Sequence, residues 1–457
     1  MSGRISFTGT VCSHDFIGIN FKSLKESVMV ANKKNVLVIG ADSFHTKQLE
    51  KLAHKKKYQI DTSLGIEELK EAALKDKKEW KDYLQSIEQK VKKGAYDGVM
   101  AYWDFPSTLL RSYFVDKYSF PGASFLSTLK CEHKYWSRKL QKNLIAEYTP
   151  EFELIDLENT ESIGAKKLSY PYWLKPIKSL SSQLAFKINN PEEEKNIIAL
   201  LRKKKNPLAN VFSFFVNQVN LPKDIPTDTS RYFLAEECLT GNQFTVEGYV
   251  FNGKVHGYAI FDNINDKSDC SFIGYEYPSQ LTSDIKQSMI DISEKIMLGV
   301  GYNNAPFNIE FFYDQKTKRL VVLEINPRVS QSHTLPIQYV DNISNLEISC
   351  ELALGQKPDE LVRKGQFKYS GKFFIRAYSD GVVAGMPSSS TLSKLRKKFP
   401  GLKIKFPIDL GMKLSDLKEQ DSYSFELALL YLGDKTHQAL LDQYKEIKKH
   451  LNFQIVR

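Results

Sequence analysis

The stretch FNIEFFYDQKTKRLVVLEINPRVSQSH, residues 307–333, decides the fold because it predicts a β-hairpin with carboxylates on one face. Residues 307–313 and 320–325 are rich in aromatic, β-branched and aliphatic side chains, and the polar run DQKTK between them has the length of a hairpin loop. Side chains alternate between the two faces of a strand. A turn centred on Thr317 therefore places Glu310 opposite Glu324, with Cβ atoms about 4.5–5.5 Å apart.

Two carboxylates at this distance repel each other and destabilise a hairpin that holds nothing between them. Mg²⁺ or Mn²⁺ removes the repulsion, because hard divalent cations bind carboxylate oxygens together with substrate phosphates. Asn326 adds a neutral oxygen ligand, and Arg328 adds a cation that stays charged. A surface hairpin whose glutamates face water is the better interpretation of either glutamate alone. The four residues together favour a site for a polyphosphate and its metal, with Glu310, Glu324 and Asn326 as the metal ligands.

This run resembles the metal-binding hairpin of the ATP-grasp superfamily. Its sequence is most similar to those of the carbamoyl-phosphate synthetase large chain and biotin carboxylase. Those families have one Glu and then a second in a Glu-x-Asn-x-Arg run, as Glu310 and EINPR at residues 324–328 have here. The resemblance implies an α/β (α+β) chain with the ATP-grasp fold. It implies an N-terminal open parallel α/β domain over residues 1–124, an ATP-grasp catalytic domain over 125–360 with its small subdomain at about 125–240, and a small C-terminal α/β cap over 361–457.

The resemblance also implies which residues bind the phosphates of ATP. Lys134 and Lys175 match the cations of the family pattern, although a solvated lysine is as good an interpretation of either one alone. After Lys175 comes a loop of small residues at 178–182, where the family usually has glycine and this chain has Ser181 and Ser182. Serine hydroxyls donate hydrogen bonds to phosphate, and small residues let backbone N–H groups approach it.

The adenosine half of ATP is matched by residues 233–239, FLAEECL, which otherwise predict an ordinary buried strand. By the resemblance, adenine accepts a hydrogen bond from the N–H of Leu239 and donates one to the C=O of Glu237, and the Glu236 side chain belongs to the same pattern. The family often has Glu for the ribose hydroxyls where this chain has Gln243. An amide also bonds a hydroxyl, so we expect weaker ribose binding at this position.

Composition narrows the class of protein. The 42% hydrophobic and 12% aromatic content is ample for buried cores over 457 residues, which excludes disorder of a whole domain. The net charge of +10 is spread along the chain, which favours a solvated lysine-rich surface over a nucleic-acid partner. No apolar run approaches the roughly 18 residues of a membrane span, and the first residues lack the core of a secretory signal. The 5 scattered cysteines include no CxxC pair, so we expect a reducing cytoplasm.

Other segments indicate how the chain is organised. Residues 35–40, 58–61 and 96–102 predict buried strands that alternate with helical segments, including the charged stretch 67–93, as in a parallel sheet. Asn252-Gly253 between two apolar runs predicts a tight hairpin. Residues 283–299 predict an amphipathic helix, and the last helix is expected at 434–451. No internal repeat is visible, which separates this chain from the duplicated carbamoyl-phosphate synthetase large chain.

The resemblance implies an ADP-forming ligase that uses ATP and Mg²⁺ to join a small carboxylate to an amine. In many such enzymes the amine comes from an amino acid. Arg328 is expected to face the transferred phosphoryl group or the acceptor carboxylate. Ser332 replaces the glutamate with which biotin carboxylase deprotonates bicarbonate, which argues against that enzyme. The alternative to a ligase is an ATP-binding regulatory protein that has lost turnover. A third interpretation, nucleic-acid binding, rests on net charge alone. Whether the protein forms a homodimer is left open.

Overall fold

A computed structural model describes residues 33–56, 58–159, 165–179, 183–204, 206, 208–266, 271–417 and 423–457. The predicted mixture of helices and sheets is confirmed, and the described residues form 4 β-sheets. Residues 1–32, and Ser181 and Ser182 of the expected phosphate loop, lie outside the described residues. No helix in the described part of the chain combines the length and apolar character needed to cross a membrane.

The N-terminal sheet has three parallel strands in the order β2-β1-β3, as the alternating pattern predicts. The predicted helical stretch 67–93 is two helices, because Asp76 interrupts it and caps the second one by accepting from the N–H groups of Lys78 and Glu79. The elements are β1 Asn35–Ala41, α1 Ser43–Lys56, β2 Gln59–Gly65, α2 Ile66–Ala72, α3 Lys77–Lys93, β3 Gly98–Ala101 and α4 Ser107–Tyr118.

A four-stranded antiparallel sheet in the order β4-β7-β5-β6 follows, where the small subdomain is expected. Its elements are α5 Phe125–Glu132, α6 Lys134–Leu144, β4 Phe152–Asp156, β5 Tyr172–Pro176, β6 Phe186–Ile188, α7 Pro191–Lys203, α8 Ala209–Val216 and β7 Tyr232–Glu237. A short 3₁₀ helix, Ala146–Tyr148, joins α6 to β4.

The largest sheet has eight strands in the order β12-β11-β8-β9-β10-β13-β16-β15, and it continues across residues 360–361, where a domain boundary is expected. Its strands are β8 Asn242–Phe251, β9 Lys254–Asn265, β10 Phe272–Tyr277, β11 Ala305–Asp314, β12 Arg319–Asn326, β13 Tyr369–Ala377, β15 Lys403–Lys405 and β16 Phe425–Asp434. β14 Val382–Gly385 pairs with β17 Gln454–Val456 in a separate sheet. The helices are α9 Ser283–Gly299, α10 Thr334–Asp341, α11 Asn345–Ala353, α12 Ser389–Lys398 and α13 His437–His450, and Gln331–His333 and Leu414–Asp416 are 3₁₀ turns.

Two predicted local features of this sheet are confirmed. Asn252 and Gly253 connect β8 to β9 with φ angles of 48° and 75°, the left-handed conformation that a two-residue hairpin loop needs. The predicted helix at 283–299 is α9, and its apolar side packs on the sheet with Phe307, Ile309 and Phe311 of β11. Burial of a side chain of this kind contributes roughly 1.5–3 kcal/mol. Because strand residues alternate, the opposite face of β11 is left for polar side chains.

Candidate active site

The hairpin of β11 and β12 places its two carboxylates side by side. Glu310 is paired directly with Glu324, which confirms the predicted register at this point. Closer to the turn the register shifts by one residue, so that Phe311 pairs with Val322 and Leu323 is the extra residue of a β-bulge. If the register at the turn continued unchanged, Glu310 would oppose Leu323 and Glu324 would project into the apolar core under Ile309. The bulge therefore puts both glutamates on one face.

The electrostatics of the two glutamates differ. Burial and the Glu324 charge raise the pKa of Glu310 above its usual range. Burial alone would also raise the pKa of Glu324, but Lys134 and Lys175 hold it below its ordinary value. A carboxylate whose charge is disfavoured beside a second carboxylate is suited to a divalent cation, which removes the repulsion and takes oxygen ligands. The donor set of this pair therefore fits Mg²⁺.

Asn326 lies beside the pair, at the end of β12. Its side-chain Nδ2 donates to Asn308 Oδ1 at 3.1 Å and to Glu310 Oε1 at 3.2 Å, while its Oδ1 accepts from Arg328 at 3.3 Å. As placed, the amide nitrogen faces the carboxylates. An amide can be turned by 180° without changing its shape, and that rotation would direct the oxygen ligand predicted for Asn326 toward a cation.

Lys134 and Lys175 line a narrow cleft between the four-stranded sheet and the hairpin, together with Glu236, Leu323 and Glu324. The Lys134 ammonium, at the first residue of α6, forms an ion pair with Glu324. The Lys175 ammonium, on β5, forms an ion pair with Glu236 on the adjacent strand β7. Both predicted phosphate cations thus lie at one cleft and are held there by carboxylates.

Arg138 was not predicted as a site residue, yet its guanidinium joins both sides of the cleft. Its side chain is only 3% exposed, its Nε donates to Glu236 at 2.5 Å, and one terminal nitrogen donates to the backbone carbonyl of Leu323 at the bulge. The sequence does contain a signal for it, because residues four apart on a helix face the same side. Arg138 lies one turn after Lys134 on α6.

Arg328 lies beside the predicted metal ligands but binds Asp104, a carboxylate that follows strand β3. Its Nε and a terminal nitrogen donate to Asp104 Oδ2 at 3.0 and 2.5 Å. Lys178 donates to the other oxygen of Asp104 at 3.0 Å and also forms an ion pair with Glu132. Although burial would raise it, Lys178 and Arg328 hold the pKa of Asp104 far below its usual range. The sequence signal for Asp104 is its place just after β3, because ligand-binding residues cluster at the carboxyl ends of parallel strands.

The residues predicted to bind adenosine lie at and after the end of β7. Glu236 is buried, the Glu237 carboxylate forms an ion pair with Arg319, and the N–H of Leu239 donates to no acceptor within the part of the chain that the structure describes. A Cβ on Gly241, whose φ is 99°, would lie 2.4 Å from the carbonyl oxygen of Tyr313, so only glycine fits where the chain enters β8. The free N–H of Leu239 suits the predicted contact with adenine, which stays a prediction.

Gln243 has a different neighbour from the one expected. Its side chain is buried, and its Nε2 donates to Glu310 Oε2 at 2.6 Å. This arises from the register, since Gln243 opposes Phe312 and therefore shares the face of Glu310, two residues along β11. The amide thus orients a predicted metal ligand, and its predicted contact with ribose stays a prediction.

Parts of this chain are similar to known proteins. Residues 168–334 match the family model described as an ATP-grasp domain. The carbamoyl phosphate synthase large chain of Thermus thermophilus is 39% identical over 85 residues, which are 18% of this chain and 8% of that protein. This chain therefore spans less than a tenth of the length of that curated relative.

Two solved structures extend the likeness over nearly the whole chain. An L-amino acid ligase from Bacillus licheniformis superposes with a TM-score of 0.70 and 17% identity, covering 93% of this chain and 99% of that one. A biotin carboxylase from Campylobacter jejuni, solved with an ATP-type ligand, superposes with a TM-score of 0.62 and 12% identity, covering 94% of each chain. At these identities the likeness shows a common fold.

Proposed function

We propose that this chain is an ATP-dependent, ADP-forming ligase joining a carboxylate to an amine. The premise is that it is an ATP-grasp protein, with its ATP-grasp domain at residues 168–334. The observation that carries the proposal is the pairing of Glu310 with Glu324 on one face, across a cleft from Lys134 and Lys175. Metal ligands and phosphate cations facing each other are what transfer of a phosphoryl group requires.

ATP enters this cleft by exchange of ion pairs. Lys134 releases Glu324 and Lys175 releases Glu236, and both ammonium groups then bind phosphate oxygens. Glu310, Glu324 and, with its amide turned, Asn326 would hold Mg²⁺, which would neutralise charge on the β- and γ-phosphates. A bound cation would replace the Lys134 ammonium as the positive partner of Glu324, so this carboxylate would not be left unpaired.

Arg328 acts on the acceptor. Asp104 fixes one edge of its guanidinium, and a planar guanidinium held in this way is suited to a carboxylate or a phosphoryl group. An oxygen of the substrate carboxylate attacks the γ-phosphorus, the bond from that phosphorus to the β–γ bridging oxygen breaks, and ADP leaves. The resulting acyl phosphate is attacked at its acyl carbon by the amine, and phosphate leaves with the electron pair of the acyl–oxygen bond.

The proposal includes Mg²⁺ as the metal, a small acid and an amino acid or other small amine as substrates, and a cytoplasmic location. The location is supported by the free thiols of Cys131, Cys238 and Cys350, which suit a reducing compartment. A homodimer stays a prediction.

The experiment is a screen of paired small acids and L-amino acids for phosphate release from ATP in the presence of Mg²⁺. Glu324→Gln and a reaction without Mg²⁺ are the controls. The expected result is stoichiometric ADP and phosphate with at least one pair, abolished in both controls. AMP and pyrophosphate as products would overturn the mechanism, and tight MgATP binding without turnover across the whole screen would favour the non-catalytic alternative.

A further inference from the structure

The guanidinium of Arg138, on α6, contacts both β7 and the bulge of β12. Its Nε donates to Glu236, one terminal nitrogen donates to Gln141 Oε1 at 2.5 Å, and the other donates to the Leu323 carbonyl. All three nitrogens are thus committed to acceptors of the protein itself. These bonds use three of the five N–H groups of a side chain that is only 3% exposed, so Arg138 acts on ligands mainly through its partners.

The bond to Leu323 is made at the residue that decides where Glu324 points. β12 is the edge strand of its sheet, and a bulge leaves the extra residue unpaired in the ladder. A carbonyl that loses its hydrogen-bond partner costs free energy, so a donor at Leu323 favours the bulged register over the regular one. The regular register would turn Glu324 away from Glu310.

The bond to Glu236 sets the charge on the other side of the cleft. Burial alone would raise the pKa of Glu236, but Arg138 and Lys175 hold it at about 2, so the carboxylate stays ionised between two cations. The three groups together carry one net positive charge. Without Arg138, Glu236 and Lys175 would form a neutral pair, and Lys175 would be held away from phosphate oxygens.

We infer that Arg138 is a positioning residue, which fixes the bulge that presents Glu324 to the metal and frees Lys175 for the nucleotide, so that the metal and phosphate sites form together. The inference rests on the proposed function for its ligands. The proposed role of Arg138 can be distinguished from a purely structural one. A structural arginine would change stability without changing how nucleotide binding depends on Mg²⁺.

The test uses the full chain and MgADP as the probe in titration calorimetry, at a series of Mg²⁺ concentrations. Arg138→Lys keeps the charge near Glu236 but cannot bond Glu236 and Leu323 at once, and Arg138→Met removes both bonds. Arg111→Met is the matched control, since Arg111 is equally buried at 3% exposure but bonds Thr128 and Tyr302. Circular dichroism and thermal melting establish that each variant is folded.

We expect Arg138→Lys to raise the Mg²⁺ concentration for half-maximal ADP binding at least fivefold while ADP affinity without Mg²⁺ changes less than twofold. Arg138→Met should raise the Mg²⁺ midpoint at least tenfold and weaken Mg²⁺-free ADP binding as well. Arg111→Met should lower the melting temperature, while the Mg²⁺ midpoint and the Mg²⁺-free ADP affinity stay unchanged. If Arg138→Lys has the same Mg²⁺ midpoint as the wild type, the inference is overturned. This result is decisive even if Arg138→Met fails to fold. Absence of ADP binding by the wild type would overturn the proposed function itself, and the inference with it.

Discussion

Lys372 is a buried cation that should reduce the stability of the protein. It lies on β13 with 9% of its surface exposed, its Nζ donates to Ser332 Oγ at 2.9 Å, and it sits 4.7 Å from the centre of the Phe374 ring. It forms no ion pair with a carboxylate of the described residues. Burial lowers the pKa of Lys372 from 10.5 to about 8, and the nearby Lys405 adds to this effect. We predict that Lys372→Met, which keeps the length of the side chain without its charge, stabilises the fold.

The magnitude follows from the two pKa values. The difference between 10.5 and about 8 corresponds to about 3 kcal/mol at about 1.4 kcal/mol for each pKa unit. Loss of the hydrogen bond to Ser332 offsets about 1 kcal/mol. The net gain for Lys372→Met near pH 7 is therefore about 2 kcal/mol, which raises the melting temperature by roughly 2–4 °C.

The gain should depend on pH in a defined direction. Below about pH 8 the lysine is charged in both the folded and the unfolded chain, so the wild type carries the full cost of burying it. Between about 8 and 10.5 the folded chain gives up the proton first, and the unfolded chain then binds more protons. Stability of the wild type rises with pH wherever this holds, so the advantage of Lys372→Met should shrink across that interval.

The assay is thermal unfolding followed by circular dichroism at pH 7 and pH 10, for the wild type, Lys372→Met and the exposed control Lys397→Met on α12. We expect a higher melting temperature for Lys372→Met at pH 7, a smaller difference at pH 10, and no change for the control. An unchanged or lower melting temperature at pH 7, or a gain that is equal at both pH values, would refute the reasoning.

Three further predictions concern the proposed reaction. Glu324→Gln keeps the shape of a metal ligand but removes its charge, so phosphate release should fall at least 100-fold with an unchanged circular dichroism spectrum; turnover near that of the wild type would contradict its role. Lys175→Ala should weaken ATP binding about tenfold or more by calorimetry at fixed salt, whereas the exposed Lys204→Ala should change it less than twofold; equal affinities would remove Lys175 from the predicted phosphate site. Arg328→Lys should reduce hydroxylamine trapping of the acyl phosphate at least tenfold, because a point ammonium cannot reproduce the planar fork; undiminished trapping would remove Arg328 from the acceptor site.

Periodicity along the strands carried the prediction of the hairpin, but it could not reveal the bulge. A turn centred on Thr317 gives the right partner for Glu310, whereas the last pair before the turn is Asp314 with Arg319, a register that differs by one residue. The extra residue, Leu323, restores the predicted pairing. A bulge adds one unpaired residue without altering composition or alternation on either side, so the sequence has no local mark for it.

Asp104 and Arg138 were not predicted from the sequence, and each bonds a residue that is remote in the chain. Arg328 and Asp104 are 224 residues apart, and Arg138 and Leu323 are 185 apart, so no spacing rule relates them. Gln243 shows a second limit: its predicted contact with ribose stays a prediction, while its contact with Glu310 follows from strand pairing, which the sequence did not indicate. Sequence motifs identify which residue types are present, but only the pairing of strands decides which of them meet.

The ion pair between Arg328 and Asp104 has a practical consequence for anyone who trims this protein. The part that matches the ATP-grasp family model, residues 168–334, contains Arg328 and Lys178 but neither Asp104 nor Lys134. A fragment cut to those limits would keep both predicted metal ligands, Glu310 and Glu324, yet it would leave two cations without their shared carboxylate and remove a predicted phosphate ligand. Breaking a buried ion pair by removal of one partner typically costs about 3–5 kcal/mol. We therefore expect a stable fragment to need the strand β3 and helix α6 that precede the residues matched by the family model.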